Sequence, residues 1–332
     1  MMKKRIPPAL ALWVIAPVFG ELFSGSTPLN EFINPIGFLF LAFLYGSGAI
    51  LIREAVVRWG KGWKSLLLLG FAYGIYEEGL VVRSFFDPAW PDLGSMATYG
   101  RVWGVNWVWV EHLTIYHALI SIAASITFTE MLYPEHRTDP WLSGRKWYLA
   151  NWAAFLLMLP IGKLLTPYDA PDGWVALTWL VILALVGLAR LLPSAPPSAA
   201  TNRRDGQVPR PRRFFLTGLF GMFLQFFFLY LGADEGLYPF PVTMLLLLLY
   251  DLFVLWLVRR WSDNGTAWDD RHRLALVLGA LSFFLLFAPP TIGEQYPIVY
   301  FSNPVFLILL YLAYRKVRTR VEREVTLSPS SP

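Results

Sequence analysis

The sequence predicts an all-α, polytopic integral membrane bundle of about ten transmembrane helices with both termini in the cytoplasm. Three observations lead there. Of 332 residues, 56% are hydrophobic and only 15% charged, whereas soluble domains carry roughly a quarter charged residues. Apolar runs of about 20 residues, each able to cross ~30 Å of hydrocarbon as a helix, recur along the whole chain. The third observation is a charge alternation between the runs, strongest when the chain starts inside and crosses at each one.

The spans fall near 6–24, 34–52, 65–84, 107–132, 147–165, 174–192, 214–231, 239–258, 274–288 and 297–314. With these crossings, 25 of the 28 basic residues lie in segments assigned to the cytoplasm, and only Arg83, Arg101 and Lys163 lie outside. Adding or removing one span would invert the bias downstream. The start, Met1 to Arg5 followed by an apolar run, has the shape of a secretory signal. Pro17, Glu21 and the lack of a small-x-small cleavage site predict an uncleaved first span of a cell-membrane protein instead. A stretch rich in Pro, Ser, Ala and Arg at 193–213 is a cytoplasmic basic linker, dividing a six-span half (1–192) from a four-span half (214–314). A basic cytoplasmic tail follows at 315–332, and its end, after Val325, reads as disordered.

No run remains for a sizeable soluble domain. The net charge of +5 sits in short clusters between apolar runs, which suits lipid headgroups and topology rather than nucleic acid. The lipid bilayer is therefore the expected partner. Cysteine is absent, which removes disulfides, thiolate nucleophiles and cysteine metal sites. Any metal would need His, Glu or Asp.

An ionisable side chain at the bilayer centre costs about 2.5–3.5 kcal/mol on insertion scales, so those inside spans are the first functional candidates. The third span holds Gly70, Gly74, Glu77, Glu78 and Arg83. Glu77 shares the helical face of the Gly70-x-x-x-Gly74 pair, where a neighbour can approach closely, and Glu78 is turned about 100° from it. The fourth span returns with Glu111, His112 and His117. At 1.5 Å per residue the glutamates lie about 10 Å below their helix end, His112 about 9 Å and His117 about 16 Å, so antiparallel neighbours bring them together. His117 also lies on a stripe with Asn106, Thr114, Ser121 and Ser125, a face unsuited to lipid. His112 and His117 stand five apart, about 140° around the helix, so they do not chelate as a local pair. A shared site would combine His117 with the glutamates, His112 contributing from the edge.

Plainer readings stand beside these. Glu and His pair with each other, or with Arg83, merely to satisfy a bundle; His112 serves as an interfacial anchor; and headgroup exposure explains Glu21. Asp251 and Gln225, at similar depth in a helical hairpin, are expected to hydrogen-bond to each other, with a proton or cation relay through Asp251 as the alternative. The loop from Phe85 to Val105, with Trp90, Tyr99 and Trp103, reads as an aromatic interface belt or as a lid over the glutamates.

At Glu77-Glu78 and His117 the chain resembles the CPBP intramembrane proteases, the CAAX-protease and bacteriocin-processing group, whose motifs are Glu-Glu-x-x-x-Arg and Phe-x-x-x-His. Here one extra residue precedes Arg83, Leu113 stands four before His117, and the family's later His-x-x-x-Asn/Asp element has no counterpart. The resemblance covers residues 73 to 117. It implies catalytic residues Glu77, Glu78 and His117: a glutamate activates water for peptide hydrolysis while His117 positions or polarises, directly or through a divalent metal such as zinc. Candidate metal donors are Glu78, His117 and His112. Two function classes follow: a membrane-embedded hydrolase acting on a peptide or small molecule, and a proton- or cation-coupled transporter using the same cluster. A non-catalytic membrane partner protein is the third.

Overall fold

The computed structural model describes residues 6–194, 208–263, 265 and 267–327. Most of the expected linker, with Lys3, Lys4, Arg5 and the last five residues, lies outside these. The fold is helical, with one two-stranded hairpin among the described residues. Its long helices occupy the apolar runs: α1 (Pro8–Leu22), α2 (Pro35–Arg58), α3 (Trp63–Tyr76, extended by a π turn over Glu77–Val81), α4 (Trp107–Leu132), α5 (Arg145–Leu165), α6 (Asp172–Leu191), α7 (Pro211–Ala233), α8 (Phe240–Trp261), α9 (Asp270–Ile292) and α10 (Val299–Leu327). Seven of them, α2 and α4 to α9, are long and apolar enough to cross a membrane by length and composition. The other three differ for visible reasons: α1 is short, α3 carries the glutamate pair, and α10 runs into a basic extension.

Burial orders the helices from centre to lipid. In their most apolar windows 61% of α2 and 67% of α4 are buried, against 11% in both α5 and α8. Helices α2 and α4 are therefore central, and α5 and α8 present Leu156, Leu164, Leu245, Leu248 and Leu252 outward. An apolar surface of that extent suits hydrocarbon, not water. Small residues set the closest contacts, as expected where packing rather than the hydrophobic effect joins helices. A Cβ on Gly279 of α9 would lie 2.0 Å from the Phe215 carbonyl of α7, and one on Gly218 of α7 would lie 2.2 Å from the Leu276 carbonyl of α9.

The basic clusters do more than set orientation. Arg53, only 1% exposed, donates to the carbonyls of His136 at 3.0 Å, Arg137 at 2.8 Å and Asp139, reaches Glu130 at 3.3 Å, and lies 3.9 Å over the Trp141 ring. Asp270 at the start of α9 takes Arg137 at 2.8 Å and Arg320 at 2.5 Å. Residues 315–327 of the expected basic tail continue α10 as helix; of the end expected to be disordered after Val325, Thr326 and Leu327 are helical and the rest lies outside the described residues. Arg318–Glu322 and Arg320–Glu324 pairs, one turn apart, favour that continuation. Pro304, near the start of α10, does not interrupt it.

We read the ten-span topology from the charge asymmetry, and reporter fusions test it. Reporters after Arg213 and Arg320 are expected to report cytoplasm, and one after Glu235, between α7 and α8, the outside. An external signal at Arg213 would refute the ten-span arrangement.

The loop between α3 and α4 is folded. It holds a 3₁₀ segment (Pro91–Ala97) and a hairpin of β1 (Arg101–Val102) and β2 (Val105–Asn106), paired Arg101 with Asn106. Its turn residues Trp103 and Gly104 both have positive φ, at 54° and 80°, as a two-residue primed turn requires. Phe85, Phe86, Leu93 and Met96 are buried together with Trp109, Leu229 and Leu247. The Ser95 hydroxyl donates to Asp234, and the Tyr99 hydroxyl to the Tyr238 carbonyl at 2.9 Å, tying the loop to the α7–α8 connection. Trp103 at its tip is 80% exposed. One end of the loop thus suits an interface anchor while its body is packed onto the bundle.

Candidate functional site

Four helices meet at the glutamates, and each departs from α geometry there. Helix α1 contains a π turn over Val18–Leu22, α2 over Ala42–Gly46, α3 continues as one over Glu77–Val81, and α4 has one over His117–Ala124. These turns carry Glu21, Tyr45, Glu77 with Glu78, and His117 with Ser121, respectively. A π turn widens the helix by one residue and re-aims its side chains, and such turns are frequent at functional sites.

Helices α3 and α4 pack through the glycine face. A Cβ on Gly70 would lie 2.9 Å from the Ala118 Cα, and one on Gly74 would lie 3.0 Å from the His117 Cβ. The close approach places His117 between the two carboxylates. Its Nε2 donates to Glu78 Oε1 at 2.8 Å, while Nδ1 lies 3.0 Å from Ser121 Oγ and 3.3 Å from Glu77 Oε2. Glu77, Glu78 and His117 are 3%, 7% and 3% exposed, so the cluster is sheltered from lipid. The sequence expectation that these three residues meet within direct reach is satisfied. The polar stripe also faces inward, with Asn106, Ser121 and Ser125 fully buried.

The surrounding groups fix the two glutamates differently. Glu78 Oε2 accepts from the Ser84 hydroxyl, which in turn accepts from Trp109 Nε1 at 3.0 Å. No well-formed hydrogen bond reaches Glu77 Oε2 or the buried Tyr73 hydroxyl beside it, although Tyr45 and Tyr73 both face Glu77 closely enough to bond to it and His117 Nδ1 lies 3.3 Å away. Buried polar groups are normally bonded, so each exception needs a reason. The rings of Tyr45 and Tyr73 lie 6.0 and 6.1 Å from that of His117. Tyr45 donates to Glu21, whose second oxygen accepts from Thr27 Oγ1 at 2.6 Å. Gly20 leaves room for this, since a Cβ there would lie 2.5 Å from the Tyr45 ring. Glu21 is therefore a third carboxylate bonded into the site's wall rather than a headgroup contact. Asp92 of the loop, though its surface is exposed, has its carboxyl raised from the ordinary value by partial desolvation among its neighbours and then by the negative charge of Glu78. Loop and site are thus electrostatic neighbours.

The remaining candidates lie elsewhere. His112 is not among the donors that converge on His117; its ring packs edge-on against Phe226 at 4.9 Å and its Nδ1 has no hydrogen bond. Arg83, with φ at +60°, donates to the Thr166 carbonyl at 2.8 Å and hydroxyl at 2.9 Å, and makes no ion pair with either glutamate. Glu111 Oε2 is buried without a hydrogen bond. The expected Asp251–Gln225 bond is absent, because Asp251 Oδ2 and Gln225 Nε2 are both unpartnered. Tyr250 of α8 faces α7, its hydroxyl 3.1 Å from the Phe220 carbonyl, and its neighbour Asp251 is turned about 100° away.

As a donor set, Glu77, Glu78 and His117 each offer one ligand atom within 4.8 Å of the others. Two carboxylates and an imidazole fit a divalent metal such as zinc. A metal would take one imidazole nitrogen in place of that nitrogen's present hydrogen bond.

The sequence model of an uncharacterized membrane protein family matches residues 10–322. The chain belongs to that family. No curated protein and no solved structure matches it, and none of these comparisons shows a resemblance to the CPBP proteases.

Proposed function

We propose that this membrane protein is an integral membrane hydrolase whose reaction centre is Glu77, Glu78 and His117. The observation that carries this reading is an imidazole held between two buried carboxylates, 2.8 Å from Glu78 Oε1 and 3.3 Å from Glu77 Oε2. In this reading Glu77 is the general base. It takes a proton from water as the oxygen adds to an acyl carbon, and His117, oriented through Nε2 by Glu78, passes a proton to the leaving group. Ser84 and Trp109 fix Glu78 so that it orients rather than reacts. If the cluster binds a metal, Glu77, Glu78 and His117 are its holders, and the ion would supply Lewis acidity to the same water.

A second reading, a proton- or cation-coupled transporter, is favoured by a separate observation. Glu111 on α4 and Asp251 on α8, one from each half of the chain, both keep a buried oxygen without a hydrogen bond, and intramembrane carboxylates commonly relay ions. One preparation separates the two. Purified protein in liposomes is supplied with a membrane-peptide library and products are read by mass spectrometry, while a pH-sensitive dye reports proton flux. Cleavage lost in His117→Ala, without flux, is expected. Flux sensitive to Asp251→Asn, with no cleavage, would replace the hydrolase by the transporter.

A further inference from the structure

We infer that the end of the bundle where α10 leaves its apolar segment carries a binding site for an anionic phospholipid. The site is a groove of about 700 Å³ between the end of α4 and the last four turns of α10, lined by Leu132, Leu312, Arg315, Lys316 and Arg323, with Glu135 and Glu324, both engaged by other groups, also on its wall. Along α10, residues 308, 312, 315, 316, 319 and 323 fall on one helical face. That face changes character along its length. Ile308 and Leu312 are 57% and 50% exposed, and one to three turns further on come Arg315, Lys316 and Arg323.

The cations differ in what they already do. Arg320 is committed to Asp270 at 2.5 Å and to the Met131 carbonyl, and Glu324 pairs with Arg320 at 3.6 Å. Arg315, Lys316 and Arg323 have no hydrogen bond or ion pair among the described residues. Three uncommitted cations therefore face one groove at the foot of an exposed apolar strip. A phospholipid has that order of chemistry: acyl chains against Ile308 and Leu312, a phosphate against the basic turns. Basic pockets beside membrane helices select anionic headgroups, each Lys or Arg near the surface contributing on the order of 1 kcal/mol. A free phosphate would use the same cations but gain nothing from the apolar strip.

The test uses the full chain in zwitterionic phosphatidylcholine nanodiscs, titrated with phosphatidylglycerol and read by thermal melting and by native mass spectrometry after release. Phosphatidylglycerol is expected to raise the melting temperature and to stay bound. Inorganic phosphate at the same concentration should do neither. In the triple variant Arg315→Gln, Lys316→Gln, Arg323→Gln, the phosphatidylglycerol needed for half the effect should rise at least about tenfold. Melting in phosphatidylcholine alone should be unchanged, because the three side chains are exposed. Arg318→Gln is the charge-matched control, since that residue is turned about 120° from the groove and pairs with Glu322. Should phosphate match the lipid, the triple variant bind like wild type, or Arg318→Gln weaken binding as much as the triple, the site is overturned. If the triple variant alone melts early, Arg323→Gln read by mass spectrometry decides, with retained binding counting against the site.

Discussion

Replacing Glu77 by Gln is expected to lower turnover by about two to four orders of magnitude, the range of a general base, while the protein still folds. The two halves of that expectation have different physical origins. Gln keeps the volume and one acceptor oxygen, so the packing of α3 on α4 through Gly70 and Gly74 is undisturbed. Glu77 Oε2 lies 3.3 Å from His117 Nδ1, and neutralising one member of a buried pair costs stability, so a lower melting temperature without loss of the fold is expected. Catalysis, by contrast, needs the basic lone pair, which an amide lacks. Glu78→Gln should also lose activity, because its carboxylate orients His117 through the 2.8 Å bond, but the two losses should not add, since groups acting as a unit share one transition state. Ser84→Ala, which removes only the hydroxyl that fixes Glu78 Oε2, should cost about tenfold, at the low end of outer partners of this kind. Turnover and melting temperature are measured on the same preparations. A Glu77→Gln protein that keeps more than about a tenth of wild-type turnover would remove Glu77 from the reaction.

How much of this was readable beforehand depends on the kind of regularity involved. Helix positions follow apolar run length, and the structure places helices at all ten runs. The meeting of Glu77, Glu78 and His117 was legible because it needs only helix depth and a glycine face, both of which survive small errors in boundaries. Tyr45, Tyr73 and Ser84 were not. Tyr45 reaches the cluster from a π turn in α2, which an ideal 100° per residue cannot forecast, and Ser84 comes from the chain just past the end of α3. Glu21 was legible as an intramembrane carboxylate but not as part of the wall, because its partner Tyr45 is 24 residues away on another helix. The Asp251–Gln225 expectation failed for a related reason. Equal depth in a hairpin says nothing about rotation, and Tyr250 faces α7. The α3–α4 loop looked like an aromatic belt by composition; its buried body follows from Phe85, Phe86, Leu93 and Met96 packing onto α7 and α8, contacts distant in sequence.

The glycine face supplies the second large effect. Gly74→Val is expected to abolish activity and to lower stability by about 1–3 kcal/mol, the usual cost of overpacking. A Cβ at this position would already sit 3.0 Å from the His117 Cβ and 3.2 Å from the Thr114 Cα, and Val adds two further methyl groups to that crowding. Relief requires α4 to move, and α4 carries His117, so the strain falls on the bond to Glu78. Gly74→Ala is the finer probe: the helix yields by tenths of an ångström, the fold persists, and turnover should fall by about tenfold or more, as expected when catalytic groups are misplaced by less than 1 Å. Gly70→Val should destabilise at least as much, because its Cβ would lie 2.9 Å from the Ala118 Cα, a backbone atom that no side-chain rotation can clear. The control is Gly187→Ala on α6, where nothing lies within 4 Å of the added carbon; it should be neutral in both assays. Thermal melting in detergent together with turnover distinguishes the cases. Were Gly74→Val to melt and act like wild type, helices α3 and α4 would not approach as closely as the Glu77–His117–Glu78 arrangement demands, and the shared site would have to be abandoned along with its chemistry.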